Sequence, residues 1–506
     1  MSSKKFYVDK FKRFRDEIGE VGCVEVVTPP LAYISGLPGA RLGEVIYFDC
    51  GQMGQVMSLN QDQVEVLLFT DDPLLIGSEA SRCGEVLKIS VSQSLLGMAI
   101  NPLGDPIYTN TPIFKAEDRL PLERETLGIA YREKITESFL TGVSVVDLLI
   151  PLGKGQRELV IGDRKTGKTI FLLQTMLTQA TRDTICIYAG IGKKKADIRK
   201  VEAFIKDKGF VDRTVIIATG ASDPLGLIYI SPYAAMSLAE YFRDVGYDVL
   251  LILDDLTTHA KAYREISLLG KRFPGRSSYP GDVFYLHSRL LERGGCFKTE
   301  HGIKSITCLP VAETIEGDIS GYVQTNLMSI TDGHLYFDTD LFKEGRRPAL
   351  NNFLSVTRVG RQTQTKLRWT INREISSFLV LYNKTLSFVH FGAELNEGIK
   401  STLNMGERLL TFFDQSMGKI YDMKVQLIVF SLIWTGIINI ESNDDVNIIA
   451  EMCNSYYSTN SSFKALVDSV LVDEDDINAL LGKMGQNAAK FNEYFKDRPR
   501  IGDKGE

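Results

Sequence analysis

The first part of the chain alternates short apolar runs with clusters of Gly and Pro. About six such runs lie between residues 22 and 90, and the clearest cover residues 23–27, 44–48, 64–69 and 85–89. Runs of this length, bounded by turn-forming residues, are typical of β-strands. Their even spacing predicts a small β-barrel near the N-terminus.

From about residue 140 to residue 369, strand-length apolar runs alternate with helical patterns. The successive strand and helix predictions are 158–161 with 169–178, 184–188 with 196–206, 214–218 with 233–244, and a last strand over 248–253. Because each strand is followed by a helix, the pattern predicts a mainly parallel sheet covered on both faces.

Helical spacing dominates the last quarter of the chain, as in the series Leu395, Ile399, Leu403, Leu409 and Phe413. The most apolar run, 425–440, contains polar residues and is shorter than the ~20 residues that span a bilayer, so it predicts a buried helix. We therefore expect a multidomain α/β protein. Its predicted segments are an N-terminal arm over 1–20, a β-barrel over 21–92, a mainly parallel α/β domain over 93–372 and a helical bundle over 373–506.

Composition narrows the class of protein. The 506 residues, 44% apolar and 24% charged, predict two or three globular domains. The net charge of −6 argues against a surface that binds nucleic acid, which needs clustered Lys and Arg. Seven cysteines without a Cys-x-x-Cys pair indicate a reduced compartment. The first 20 residues have no apolar stretch, so we expect a cytoplasmic protein that reaches a membrane only through partners.

The strongest chemical signal is a phosphate-binding loop. It fits the pattern G-x-x-x-x-G-K-S/T and consists of Gly162, Asp163, Arg164, Lys165, Thr166, Gly167, Lys168 and Thr169. Its glycines let backbone amides curl around phosphate oxygens, and the following helix directs its positive end at them. Lys168 is predicted to reach the outer phosphates and the Thr169 hydroxyl to ligate Mg²⁺.

A second signal is an apolar strand that ends in two carboxylates, Asp254 and Asp255. In proteins with a phosphate-binding loop, a carboxylate at such a strand end holds the magnesium ion through water. Asp254 is the residue predicted for this role. The simpler interpretation is that the pair caps the following helix.

Nearly the whole chain resembles the α subunit of F-type ATP synthases. The stretches that carry the resemblance are 95–107, 141–169, 279–293, 329–333 and 354–360. It implies a barrel, a RecA-like nucleotide domain and a helical C-terminal domain, with ATP or ADP and Mg²⁺ as ligands. It also implies partners: β subunits that alternate with this chain in a hexameric ring, a γ-like central shaft, and a peripheral stalk.

Three places resemble α rather than β. The phosphate loop carries Asp163 and Arg164 where catalytic β subunits are Gly-rich, and residues 391–395 resemble the α version of the helical domain. Most important, Lys193 lies where β subunits carry a catalytic Glu and other α subunits a Gln. A charged lysine cannot accept a proton from the attacking water. The simpler interpretation of Lys193, Lys194 and Lys195 is a solvated run of charge.

The resemblance assigns roles to further residues. Arg358 matches the arginine finger that α inserts into the catalytic site of the adjacent β subunit, where it stabilises transition-state charge. Phe342, Arg347 and Gln415 match residues that surround the base, although Met417 and Lys165 depart from the family pattern. The loop 270–276 matches a segment near the central shaft, with ordinary solvated charge as the alternative.

Three other functions stay open at this point. An autonomous hexameric ATPase, such as a helicase or an export ATPase, shares this core but needs a catalytic carboxylate in the chain. A specialised motor, like the F-type-like paralogues of mollicutes, is suggested by the short N-terminal arm. A purely structural subunit with an empty site would have no physical need for Lys168, Thr169 and Asp254 together.

Overall fold

A computed structural model describes residues 3–108, 115–390, 396–440, 442–472, 476–496 and 498. The chain divides into two compact units. The first unit contains the residues up to 134 together with 180–314 and 318–331. The second contains 135–179, 315–317 and the residues from 332 onward.

The predicted barrel is confirmed in the first unit. Six antiparallel strands close on themselves, in the order Gly22–Thr28, Leu31–Ser35, Val64–Leu68, Met53–Leu59, Glu44–Phe48 and Glu79–Val86. Inward-facing side chains such as Val24, Ile34 and Phe48 fill its interior. The run predicted over 85–89 is split in the structure, because Lys88–Val91 leaves the barrel and pairs with Asp118–Pro121.

The N-terminal segment forms a helix, Ser3–Ile18, on the outside of the barrel. Phe11 is buried, and the rings of Tyr7 and Phe14 stack on Tyr47 with centroid distances of 6.1 and 5.7 Å. An apolar stripe on an otherwise polar helix explains this attachment.

The mainly parallel sheet predicted from the alternating pattern is confirmed. In the first unit its parallel strands run in the order Gly302–Glu313, Val249–Asp254, Ile185–Lys193, Thr214–Gly220 and Ala99–Ile100. Gly295–Thr299 and Arg132–Glu133 extend it with antiparallel pairs. Every residue of Val249–Asp254 and of Thr214–Gly220 is buried, as expected for strands covered on both faces.

The helices of the first unit's sheet domain are Lys195–Asp207, Leu225–Asp244, Leu256–Leu269, Val283–Glu292 and Tyr322–Ile330. The helix predicted over 233–244 begins eight residues earlier, at Leu225, and continues through Pro232. A proline inside a helix costs roughly 3 kcal/mol. Here nearly the whole helix is buried, and the packing outweighs that penalty.

Three strands of the second unit pair with one another. Glu158–Gly162 pairs in parallel with Gly333–Phe337, which pairs antiparallel with Val356–Thr357. Ser138–Phe139 and Leu152–Gly153 form a separate antiparallel pair. The nearby helices are Ser144–Leu149, Lys168–Ala180 and Thr339–Lys343.

The C-terminal part of the second unit is helical, as predicted. Its helices are Lys366–His390, Glu397–Phe413, Met423–Thr435, Asn443–Thr459, Ser461–Leu471, Ile477–Gln486 and Ala488–Tyr494. The apolar run 425–440 contributes most of the buried helix Met423–Thr435, which Gly436 ends in a left-handed conformation. Among the described helices, none combines the length and the apolar character that a membrane span requires.

Candidate functional site

The predicted phosphate-binding loop joins the strand Glu158–Gly162 to the helix Lys168–Ala180 in the second unit. A Cβ at Gly162 would lie 2.3 Å from the carbonyl oxygen of Phe337 on the neighbouring strand, so only glycine fits there. Gly167, the second glycine of the motif, has φ of +95°. Strand, loop and helix therefore follow in the order that the motif requires.

Lys168 lies across its own loop. Its Nζ donates hydrogen bonds to the carbonyl oxygens of Gly162 at 2.7 Å and Asp163 at 2.6 Å, and the residue is buried. Thr166 Oγ1 donates to the Asp163 carbonyl oxygen at 2.8 Å. Arg164, Lys165 and Thr169 are exposed. The Lys168 ammonium thus lies close to the backbone that would surround a phosphate.

Asp163, which replaces a glycine of the catalytic pattern, has a structural task. Its carboxylate accepts hydrogen bonds from the Gly317 amide at 3.0 Å and from Thr339 Oγ1 at 2.9 Å. The side chain therefore ties the phosphate loop to residues 315–317 and to the start of the helix Thr339–Lys343. Sequence reasoning had no signal for this anchor, since both partners are distant in the chain.

Two of the predicted base contacts lie against each other. The Arg347 guanidinium carbon is 3.8 Å from the centre of the Phe342 ring, and Arg347 Nη1 donates to the Phe342 carbonyl oxygen at 3.0 Å. Arg347 also lines a cavity of about 320 Å³ in the second unit, together with Tyr382 and Phe413. A cavity that combines aromatic and charged side chains in its wall suits a planar, polar-edged ligand.

Gln415, the third predicted base contact, has its amide occupied by backbone. Its Nε2 donates to the carbonyl oxygens of Gly142 and Lys419, both at 3.0 Å. Its Oε1 accepts from the Ser144 amide at 2.6 Å. The side chain is buried, and both of its N–H donors are used. Gln415 therefore holds the start of the helix Ser144–Leu149 in place.

In the first unit, Lys193 lies at the end of the strand Ile185–Lys193 and contacts the carboxylate pair. Its Nζ is 2.6 Å from Asp254 Oδ1 and 3.1 Å from Asp255 Oδ2. Tyr188 Oη donates to Asp254 Oδ2 at 2.7 Å, and Asp255 Oδ1 accepts from the Thr258 amide at 2.7 Å. Each of the four carboxylate oxygens therefore has a partner.

The carboxylates keep Lys193 charged. Its side chain is 20% exposed, and those of Asp254 and Asp255 are 4% and 2% exposed. Burial by itself would lower the pKa of Lys193, but the two carboxylates outweigh it and raise this pKa above its ordinary value. Lys194 and Lys195 are exposed, so the interpretation as solvated charge holds for these two and not for Lys193.

Arg358 lies in a firmly held turn of the second unit. Its amide donates to the Asp332 carbonyl oxygen at 3.0 Å, and the Asp332 carboxylate pairs with Arg157 at 2.7 Å. At Gly360 a Cβ would lie 1.6 Å from the Pro151 carbonyl oxygen, so no larger residue fits this turn. The Arg358 residue itself is exposed. The turn thus presents a guanidinium at the surface of the chain.

Comparison with known proteins places the chain among its relatives. Residues 142–357 match the nucleotide-binding domain of the ATP synthase alpha/beta family. ATP synthase subunit alpha of Anaplasma marginale (strain Florida) is 42% identical over 404 residues, which cover 78% of this chain and 80% of the relative. The same subunit of Syntrophomonas wolfei is 41% identical over 429 residues, 84% of both chains. That of Acholeplasma laidlawii is 41% identical over 429 residues, 85% of this chain and 84% of the relative.

The chain belongs to the ATP synthase subunit alpha family. Its barrel, its mainly parallel sheet and its C-terminal helices agree with this membership. One feature that favoured α over β, the segment 391–395, lies outside the described residues. The other two, Asp163 with Arg164 in the phosphate loop and Lys193 after the second strand of the alternating pattern, are part of the described structure.

The magnesium ion expected for this family does not fit the contacts of Asp254. Magnesium needs oxygen ligands in near-octahedral geometry and keeps several of its waters. Both Asp254 oxygens already bind other groups, and one of those groups is a cation. The described residues contain no group of three or more His, Cys, Asp or Glu side chains that could hold a metal ion. Thr169, the other predicted ligand, has an exposed hydroxyl-bearing side chain.

The sequence did not indicate the environment of two buried residues, one in each unit. Tyr188 donates to Asp254 from a buried position; the available signal was a tyrosine in the same strand as Lys193. Glu158, at the start of the strand before the phosphate loop, is buried, and burial raises its pKa well above the usual range, while the nearby Arg358 charge opposes this shift. A single glutamate in a strand-like run did not indicate that its carboxyl group would be buried.

Proposed function

We propose that this chain is a nucleotide-binding subunit of a rotary ATPase that does not itself cleave the nucleotide. The observation that carries the proposal is the position of Lys193, whose ammonium rests on Asp254 and Asp255 where a catalytic subunit needs a free base. Hydrolysis requires a group that positions the attacking water and accepts its proton. Lys193 is a donor only, and its ammonium contacts both of the carboxylates beside it.

The proposed ligand is ATP or ADP, bound at the phosphate loop. Gly162, Gly167 and Lys168 supply the close backbone approach and the cation that such a loop uses. Phe342 and Arg347 are the proposed base contacts, beside the cavity that Arg347 lines. Gln415 is assigned to support of the backbone instead, because its amide is occupied.

The purified chain tests this part of the proposal. We expect ATP to bind, measured by isothermal titration calorimetry, and phosphate release to stay at background. Lys168→Ala is expected to abolish binding, whereas Lys195→Ala, at an exposed lysine of the next helix, is expected to leave it unchanged. Turnover by the isolated chain at about 1 s⁻¹ or faster, as in ordinary ATPases, would show an autonomous enzyme.

We propose further that Arg358 acts in trans, in the catalytic site of an adjacent β subunit. The support is its exposed position on a turn held by Asp332 and Gly360. A guanidinium that reaches a transferring phosphoryl group stabilises transition-state charge by a factor of ~10³ to 10⁵. Lysine carries the charge but lacks the planar fork of donors.

Reconstituted complexes of this chain with its β partner test this role. Arg358→Lys is expected to lower hydrolysis by at least ~10³-fold without changing assembly or nucleotide binding by this chain. Arg361→Lys is the matched control, because the Arg361 guanidinium stacks on Trp369 of its own chain at 4.6 Å. Equal hydrolysis by the Arg358→Lys and wild-type complexes would exclude an arginine finger.

The proposed partners are β subunits that alternate with this chain in a hexameric ring, a γ-like central shaft and a peripheral stalk. One cationic side chain of the proposed shaft-facing loop, 270–276, is hydrogen-bonded within this chain: Arg272 Nη2 donates to Glu65 Oε1 of the barrel at 2.9 Å. Phe273 is 96% exposed, so we assign the contact to Phe273 and its exposed neighbours. Any membrane association would come through these partners.

A further inference from the structure

Gln156 lies just before the strand Glu158–Gly162, and its side-chain amide contacts the turn that carries Arg358. The side chain is fully buried, and its Nε2 donates to Thr357 Oγ1 at 3.1 Å. We propose that Gln156 is a positioning residue for Arg358: through Thr357 it fixes the turn from which the guanidinium reaches the adjacent subunit. The inference rests on the proposed role of Arg358 in trans and specifies what holds that arginine in place.

The partners of the Gln156 amide determine its orientation. Its Oε1 accepts a hydrogen bond from the Gly153 amide at 2.8 Å, and a backbone N–H can only donate. The Nε2 end therefore faces Glu158 and Thr357, and it donates to Glu158 Oε2 at 2.7 Å as well as to Thr357 Oγ1. Because both of its N–H groups are used, the Gln156 amide is fixed in the direction in which it contacts the turn.

The Thr357 hydroxyl is the point at which Gln156 meets the turn. Besides accepting from Gln156, it donates to the Pro151 carbonyl oxygen at 3.0 Å and accepts from the Gly360 amide at 3.2 Å. A hydroxyl has one donor and two acceptor sites, so all three are used here. Arg358 lies within the segment 357–360 that the bond from Gly360 to Thr357 closes.

A second contact holds the turn independently of Gln156. The Arg358 amide donates to the Asp332 carbonyl oxygen at 3.0 Å, and the Asp332 carboxylate pairs with Arg157 at 2.7 Å. Loss of the Gln156 contact would therefore leave the turn in existence but free to shift at Thr357. A shift of about 1 Å in a group that acts on a reacting centre can lower the rate ~10²-fold.

The test measures ATP hydrolysis by reconstituted complexes of the full chain with its β partner. Thr357→Val keeps the side-chain shape and removes the hydroxyl, and Gln156→Met removes the other partner of the same hydrogen bond. For each variant we expect kcat to fall about ten- to a hundredfold, while KM and ATP binding by this chain stay unchanged. Thr357→Ser keeps the hydroxyl and should stay within about twofold of wild type. Thr402→Val is the matched control, because its hydroxyl bonds only within its own helix, to the Gly398 carbonyl oxygen at 3.0 Å; it should leave kcat unchanged.

A double-mutant cycle shows whether the effect passes through Arg358. In the Arg358→Lys background, Thr357→Val should change kcat by less than about twofold, because the arginine that it positions is gone. An equal fold loss in both backgrounds, a loss of the same size in Thr357→Ser, or wild-type kcat in Thr357→Val or Gln156→Met overturns the inference and leaves the role of Arg358 standing. Wild-type hydrolysis by Arg358→Lys overturns both. The cycle with Thr357→Val decides the matter even if Gln156→Met does not fold.

Discussion

Replacing Gln415 by leucine separates a structural role from base recognition. The side chain is buried, and its amide makes three hydrogen bonds to backbone groups of Gly142, Ser144 and Lys419. Ser144 opens the helix Ser144–Leu149, whose preceding residue, Val143, offers no side-chain cap. A helix start leaves its first amides without partners inside the helix. Gln415, which is distant in the chain, accepts a hydrogen bond from one of them.

The expected cost follows from which partners are left without a hydrogen bond. The Gly142 carbonyl also accepts from the Tyr421 amide at 3.2 Å, and the Lys419 carbonyl also accepts from Gln174 at 3.4 Å. Those two carbonyl groups therefore keep one donor each, whereas the Ser144 amide is left without its acceptor. An unsatisfied buried donor costs ~1 to 3 kcal/mol, and the two weakened carbonyls add roughly 0.5 kcal/mol each. Gln415→Leu should thus destabilise the second unit by about 2 to 4 kcal/mol.

Hydrogen-exchange mass spectrometry on peptides that cover residues 140–149, with urea unfolding alongside, measures this effect. We expect faster exchange in those peptides and a lower unfolding midpoint, with the ratio of ATP to GTP affinity unchanged. Gln486→Leu, at an exposed glutamine, should change stability by less than ~0.5 kcal/mol. A stable variant that has lost its preference between ATP and GTP would refute this reasoning and restore Gln415 as a base contact.

Two further predictions concern the surroundings of Arg358. Burial raises the pKa of Glu158, so the folded chain holds a proton that the unfolded chain releases above about pH 4.3. The free energy of unfolding then falls as pH rises, by up to ~1.4 kcal/mol per pH unit. Glu158→Gln removes this dependence: its stability relative to wild type should increase between pH 5 and 8 in urea unfolding, and a constant difference would contradict the assignment. Gly360→Ala places a Cβ 1.6 Å from the Pro151 carbonyl oxygen and should shift the Arg358 turn, lowering hydrolysis by the complex ~10- to 100-fold. ATP binding by this chain should be unaffected, and Gly482→Ala, where the Cβ has open space, should leave hydrolysis unchanged.

Much of the fold was predictable because it depends on local periodicity. The barrel strands and the alternating strands and helices follow from runs of apolar residues bounded by Gly and Pro. The predicted helix and strand bounds were wrong where packing overrides local preference. The helix Leu225–Asp244 passes through Pro232 because it is buried almost throughout. The strand Lys88–Val91 pairs with Asp118–Pro121 instead of the barrel, and local patterns do not predict a partner that is distant in the chain.

The sequence alone determined the phosphate loop, the identity of Lys193 and the resemblance to α subunits, because these depend on residue type at fixed spacing. Only the tertiary structure decided what the side chains contact. It brought Lys193 onto Asp254 and Asp255 and placed the Gln415 amide against the backbone of Ser144. A charged or amide group acts through whichever partners lie within about 3 Å, and residues distant in the chain supply them here.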